Sequence, residues 1–166
     1  MHILMCNDDG ILADGLRQLA TYLSQYYRVT VVAPATEQSA KSHALTTEIP
    51  LKLDAYNGED ENPRLYALTG TPSDCMKFGL SYLLADDMPD LVISGINHGF
   101  NLGSDVLYSG TVSAAMESCF YGIPGLALSV ERYSAERGAE MHPFIHELID
   151  KIYVKGQFSG LLNVNF

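Results

Sequence analysis

The sequence predicts an α/β domain with a mostly parallel sheet and helices on both of its faces. Three observations predict it. Short apolar runs recur at intervals, the pattern of parallel strands buried on both faces. Segments whose apolar residues repeat near 3.6 residues per turn lie between those runs. Polar loops, the first and third of them bearing glycine, follow three of the runs, where sheets of this kind bind ligands. Strands alternating with helices specify a layered α/β arrangement.

The strand candidates are residues 3–6, 28–33, 65–68, 91–93 and 126–130. The first helical face is Leu12, Leu16, Leu19, Ala20 and Leu23. A second runs through Cys75, Met76, Gly79, Leu80, Leu83 and Leu84, and starts at Thr71-Pro72, a cap residue followed by proline at the first helical position. The third face is Val112, Ala115, Met116, Cys119 and Phe120, and the fourth surrounds Ile145, Leu148, Ile149 and Ile152. The polar turn "NGEDENP" at 57–63 separates two apolar segments as a long hairpin or side excursion. No repeat, low-complexity tract or linker interrupts the chain.

A chain of 166 residues that is 47% hydrophobic can bury the core of one domain, here residues 1–166. Its net charge of −10 argues against a large nucleic-acid interface. A small phosphorylated substrate is still compatible, provided a cation is held locally. Cys6, Cys75 and Cys119 are too scattered for a zinc site and read as buried thiols in a reducing compartment. There is no secretory leader and no apolar run near ~18 residues, so a cytoplasmic protein without a membrane segment is expected.

The first apolar run ends in Asn7-Asp8-Asp9-Gly10. Adjacent carboxylates repel in a tight turn, and a divalent cation would remove that repulsion. Without one, the pair would serve only as a helix cap and a solvated acid. The second run opens into a polar loop containing Ser39, and the run at 91–93 opens into "SGINHGFNLGSDVLYSGT" at 94–111. The Asn97 amide can ligate a hard cation through its oxygen and donate to a phosphoryl oxygen through its NH₂. Ser109, Gly110 and Thr111 precede a helix whose free N–H groups and dipole favour an anion, with two hydroxyls as further donors.

His98 is a candidate proton donor to a leaving alcohol and is equally readable as a surface histidine; His43 has the same standing. Glu117 and Asp105 read as supporting or solvated acids. His142 and His146 are four residues apart without the glutamate of an H-E-x-x-H site. The sequence has no Walker loop, no strand-linked G-x-G-x-x-G and no G-x-S-x-G elbow.

Taken together, "NDDGI…DG" at 7–15, "VVAP" at 31–34 with Ser39, "GTPSDC" at 70–75, "SGIN.G.NLG.DV.YSGTV.AAME" across 94–117 and "LLNV" at 161–164 resemble the SurE (survival protein E) nucleotidase family. The resemblance spans nearly the whole chain. It implies a Rossmann-like three-layer sandwich with a mostly parallel sheet. It also implies a phosphomonoesterase acting on nucleoside 5′- and 3′-monophosphates, with exopolyphosphatase activity in some members. Asp8, Asp9, Ser39 and Asn97 would hold one Mg²⁺ or Mn²⁺, and Ser109, Gly110 and Thr111 the phosphate. Ala13-Asp14-Gly15 departs from the family's Ala-Pro-Gly, replacing a helix-starting proline with another helix-start residue. Family chains run past "LLNVNF", so the family's C-terminal extension is expected to be missing, and a homodimer or homotetramer is expected where that region is present.

The mechanism implied is metal-assisted hydrolysis through Asp8, Asp9, Asn97 and Ser109, with either aspartate aligning the water or accepting its proton. Three alternatives are distinguishable. An aspartyl-phosphate phosphatase needs a nucleophilic Asp two residues before Asp9, where Asn7 stands. A receiver-like signalling domain needs a phospho-acceptor Asp at the end of a central strand, where "SGIN" offers none. A non-catalytic nucleotide-binding module would bind nucleoside monophosphate without releasing phosphate.

Overall fold

The computed structural model describes residues 1–156 and 158–166. Seven strands form one sheet: β1 (His2–Cys6), β2 (Arg28–Pro34), β3 (Leu53–Ala55), β4 (Arg64–Leu68), β5 (Leu91–His98), β6 (Gly125–Val130) and β7 (Leu161–Asn165). Their order is β3-β4-β2-β1-β5-β6-β7. Every pair is parallel except the hairpin of β3 with β4. That hairpin resolves the side excursion expected around "NGEDENP".

Four helices cover the two faces. α1 (Asp14–Leu23) and α4 (Ala135–Ile149) pack on one face, and α2 (Pro72–Phe78) and α3 (Gly110–Cys119) on the other. Strand alternation serves both layers. Ile3 and Met5 of β1 face the α1–α4 side, while Leu4 and Cys6 face the α2–α3 side, and all four are fully buried. Cys6, Cys75 and Cys119 are free thiols, the first two buried. Among the described residues no helix is long and apolar enough to cross a membrane.

Three expectations shift. Leu12 is exposed because α1 begins only at Asp14, so the apolar period there runs past the helix. Phe120 is exposed as the C-cap of α3, outside the helix whose face it was expected to join. α4 starts at Ala135, ten residues before Ile145, the first residue of its expected face, behind the Ser134 cap, whose hydroxyl accepts from the Arg137 N–H at 3.3 Å. Ile152 lies beyond α4 in a π-helical turn, Asp150–Lys155.

The change that matters most for the site is in β5. The strand was expected to end at residue 93, yet it runs on to His98 after a register shift between Ser94 and Asn97. Gly95 makes the shift possible. Its φ is +129°, and a Cβ there would sit 2.3 Å from the Leu128 carbonyl oxygen. Asn97 and His98 are therefore carried on a paired strand, opposite Ser129 and Val130.

Gly95→Ala is expected to lower stability by on the order of 3 kcal/mol, combining a disfavoured φ with a backbone clash. Urea unfolding checks this: the midpoint should fall with an unchanged m-value.

Candidate active site at the carboxyl edge of the sheet

β2, β1 and β5 are neighbours, so the loops that leave their carboxyl ends meet. A cavity of about 330 Å³ opens there, lined by Asp8, Ser39, Asn97, His98, Asp105 and Ser109 among others. Four of the seven residues expected at the site thus share one wall. A larger hollow of about 460 Å³ lies between α1 and α4, beside Arg17, Gln18 and His142. It gathers no carboxylate pair, Asp14 being the one acid on its wall, so the strand-end cavity is the candidate.

The Asn7–Gly10 turn is built by its first residue. Asn7 is fully buried; its Nδ2 donates to the Gly10 carbonyl and its Oδ1 accepts from the Gly10 N–H, each at 3.1 Å. Both polar atoms of Asn7 are consumed in closing the turn, as a structural residue and not a nucleophile would be. The Ile11 N–H donates to the Pro34 carbonyl and the Gln38 N–H to the Asp8 carbonyl, at 2.8 and 2.7 Å. These bonds lock the first loop to the second.

Asp8 is buried, and the Thr111 hydroxyl donates to its Oδ1 at 2.6 Å. Burial raises its pKa, and the Thr111 bonds only partly oppose the shift. Asp9 is half-buried and its pKa is pushed up to about 6, by burial first and then by the Asp8 charge, with the His98 backbone N–H opposing. Glu37 adds repulsion to both. This third acid was absent from the sequence reading; its place two residues before Ser39 was the available signal. Its carboxylate accepts from the Ser39 hydroxyl at 2.7 Å.

The start of α3 closes against the same pair. A Cβ on Gly110 would lie 3.0 Å from Asp8 Cβ and 3.1 Å from its Oδ2, so only glycine lets the helix approach this near. Ser109 caps α3 by accepting from the Val112 N–H at 3.1 Å, which leaves its own O–H free to donate. The N–H of Gly110, at the first helical position, has no intrahelical acceptor.

Three of the seven expected residues lie outside the cavity wall: Gly110, which backs onto Asp8, and Thr111 and Asp9. The hydroxyl of Thr111 was expected to donate to phosphate. Instead it is spent on Asp8, and the residue is fully buried outside the cavity wall. Asp9 also lies outside that wall, turned toward the His98 backbone beside it. Asn97 gives one Nδ2 hydrogen to the Gly99 carbonyl at 2.7 Å, which leaves its Oδ1 and a second hydrogen.

The loop carrying Ser39 is tethered at several points. The Ser42 N–H donates to the Tyr108 carbonyl, and the Thr71 hydroxyl to the Ala44 carbonyl. Thr46 donates twice to Asp74, which also completes the capping box of α2. His43 pairs with the buried Glu117 at 2.6 Å. His43 is thus a tether, and Glu117 its buried partner.

The donor set fits a hard divalent cation. Among the described residues no three His, Cys, Asp or Glu side chains converge. Here the carboxylate of Asp8 lines one cavity with an amide oxygen and a hydroxyl, Asp9 stands beside it in the turn, all are oxygen donors, and the Asp8 charge adds to the rise of Asp9.

Fold and site together define an α/β protein with an acidic, oxygen-rich site at a strand end, facing a helix N-terminus. The family model for survival protein SurE matches residues 3–166, and the chain belongs to that family. It is 49% identical over 166 residues to the 5′-nucleotidase SurE of Thermoanaerobacter sp. (strain X514), covering 99% of this chain. It is 48% identical over 165 residues to that of Caldanaerobacter subterraneus subsp. tengcongensis, covering 98% of this chain. The crystal structure of the SurE protein from Aquifex aeolicus matches with a TM-score of 0.83 at 35% identity, over 99% of this chain and 66% of that one. The chain spans 65% and 64% of the lengths of the two curated relatives.

A raised carboxyl pKa stabilises the fold below the ordinary value of 3.8 and loses that contribution as pH climbs through the folded value of about 6. In EDTA, Asp9→Asn is expected to melt above the parent at pH 8, with the difference shrinking to nothing near pH 4. Calorimetric scans at the two pH values test this.

Proposed function

We propose that this chain carries the catalytic site of a metal-dependent phosphomonoesterase that hydrolyses nucleoside 5′- and 3′-monophosphates to nucleoside and phosphate. One observation carries the reading: Asp8, at the end of β1, shares a cavity with Ser39, Asn97 and the Ser109 cap of α3. That grouping supports reading the acids as a cation site and the helix start beside them as an anion site.

Asp8, Asp9, Ser39 and Asn97 would hold one Mg²⁺ or Mn²⁺. The ion would supply the positive charge that relieves the carboxylate repulsion and polarises the phosphoryl group. Thr111 fixes Asp8 from behind through its hydroxyl. The Gly110 N–H and the Ser109 O–H donate to phosphoryl oxygens and stabilise the charge that builds on them. Water attacks phosphorus, and the bond to the nucleoside oxygen breaks. The proton of the water passes to the aspartate pair. His98, exposed on the cavity wall, would be the candidate to give a proton to the departing oxygen.

Two further properties are part of the proposal. The protein works in the cytoplasm, and it assembles as a homodimer or homotetramer where the family's C-terminal region is present.

Phosphate release from 5′- and 3′-AMP and GMP, first in EDTA and then with Mn²⁺ or Mg²⁺ restored, tests the reading. Release is expected only with metal. Asp8→Asn should cut turnover by roughly 10²-fold or more while circular dichroism stays that of the parent. Full activity in that variant, or activity undiminished by EDTA, would sink the assignment.

A further inference from the structure

Three residues on adjacent strands stand in register at the carboxyl edge: Asn97 of β5 opposite Ser129 of β6, and Ser129 opposite Asn165 of β7. The chain that leaves β5 folds back over this row at Asn101, which is buried. The Asn101 N–H donates to Asn165 Oδ1 at 2.8 Å. Its carbonyl accepts from Asn163 Nδ2 at 2.9 Å and from Asn165 Nδ2 at 3.3 Å. Its own Nδ2 donates to the Ser129 hydroxyl at 2.9 Å. Backbone and side chain of Asn101 are thus all held by β6 and β7.

Two residues earlier, Gly99 is held as well. Its N–H donates to the Val130 carbonyl at 2.8 Å, and its carbonyl accepts from Asn97 Nδ2 at 2.7 Å. That last bond decides which way the Asn97 amide faces. With the NH₂ captured, the oxygen is the atom left for a cation. An amide turned the other way would present hydrogens to the ion and no lone pair.

We infer that Asn165, with Ser129, is a positioning residue: it pins Asn101, and through the Gly99 carbonyl it holds the Asn97 oxygen toward the metal site. The inference rests on the proposed role of Asn97 as a ligand. The residue types match the task. A side-chain amide can accept from the Asn101 N–H through its oxygen and donate to the Asn101 carbonyl through its NH₂ at once. Asn163, two residues before Asn165 on the same face of β7, adds a second donor, yet its own Oδ1 is buried without a partner. An orphaned acceptor costs stability, so Asn163 is better explained by the loop it holds than by the fold it supports.

The test is binding of Mn²⁺ alone, followed by titration calorimetry, in the parent, Asn165→Leu, Ser129→Ala and Val164→Ala. Asn165→Leu keeps the side-chain size and removes both amide bonds. Ser129→Ala reaches the same loop from another strand and carries the test if the first variant fails to fold. Val164 packs in the apolar layer on the α1–α4 side. Its truncation should lower the melting temperature and leave Mn²⁺ affinity unchanged. Asn165→Leu and Ser129→Ala should each weaken Mn²⁺ binding by roughly tenfold or more with an unchanged far-ultraviolet spectrum. Parent-like affinity in both, while Asn97→Ala loses binding, overturns the inference and leaves the proposed function standing. Equal weakening by Val164→Ala also overturns it, because loss of strand stability would then suffice. A parent that binds no Mn²⁺ overturns the reading of the site and the inference together.

Discussion

The rest of the site is arranged around two carboxylates forced into one buried turn. Asp8 and Asp9 leave the sheet at adjacent positions, and burial holds both above the ordinary carboxylate range, with the Asp8 charge adding to the rise of Asp9. Asn7 holds the turn closed from within, and Thr111 and Gly110 close on Asp8 from α3. The helix start that favours an anion is thereby set beside the acids that would hold a cation. Neither half would be useful alone: bare acids repel a phosphate, and a bare helix start cannot polarise one.

The sheet makes that meeting possible. β1 lies between β2 and β5, so three loops far apart in sequence leave neighbouring strand ends. Both faces of β1 are filled with apolar side chains, which fixes its register against either neighbour. The Gly95 shift places one extra residue in β5, which sets Asn97 on the level of Ser129 and Asn165 instead of that of Val130. A strand ending at residue 93 would have left Asn97 in a free loop.

Hydrogen bonds between distant segments supply the rigidity that strand pairing cannot. The loop with Ser39 is held by Asp74, Thr71, Tyr108 and the His43–Glu117 pair. The loop after β5 is held by the amides of β7. Each side of the cavity is thus buttressed by an element that contributes no ligand. A cavity held this way is pre-organised.

By itself the sequence determined the alternation of strands and helices, the acidic turn at 7–10 and the polar loops at strand ends. These are local properties, written in apolar period and turn chemistry, and so was the resemblance carried by 94–117. Only the tertiary structure decided how the polar groups pair. Thr111 turns its hydroxyl to Asp8, 103 residues away in the chain. Glu37 comes close enough to repel both aspartates. Asn165 grips Asn101 across 64 residues. Leu12 and Phe120 end outside the helices whose period they continue, because spacing marks a face and not where a helix stops. A hydroxyl or an amide has several partners within its chemistry, and spacing along the chain ranks none of them. Packing of the two apolar layers brings particular groups within three ångströms of each other, and that packing chooses the partner.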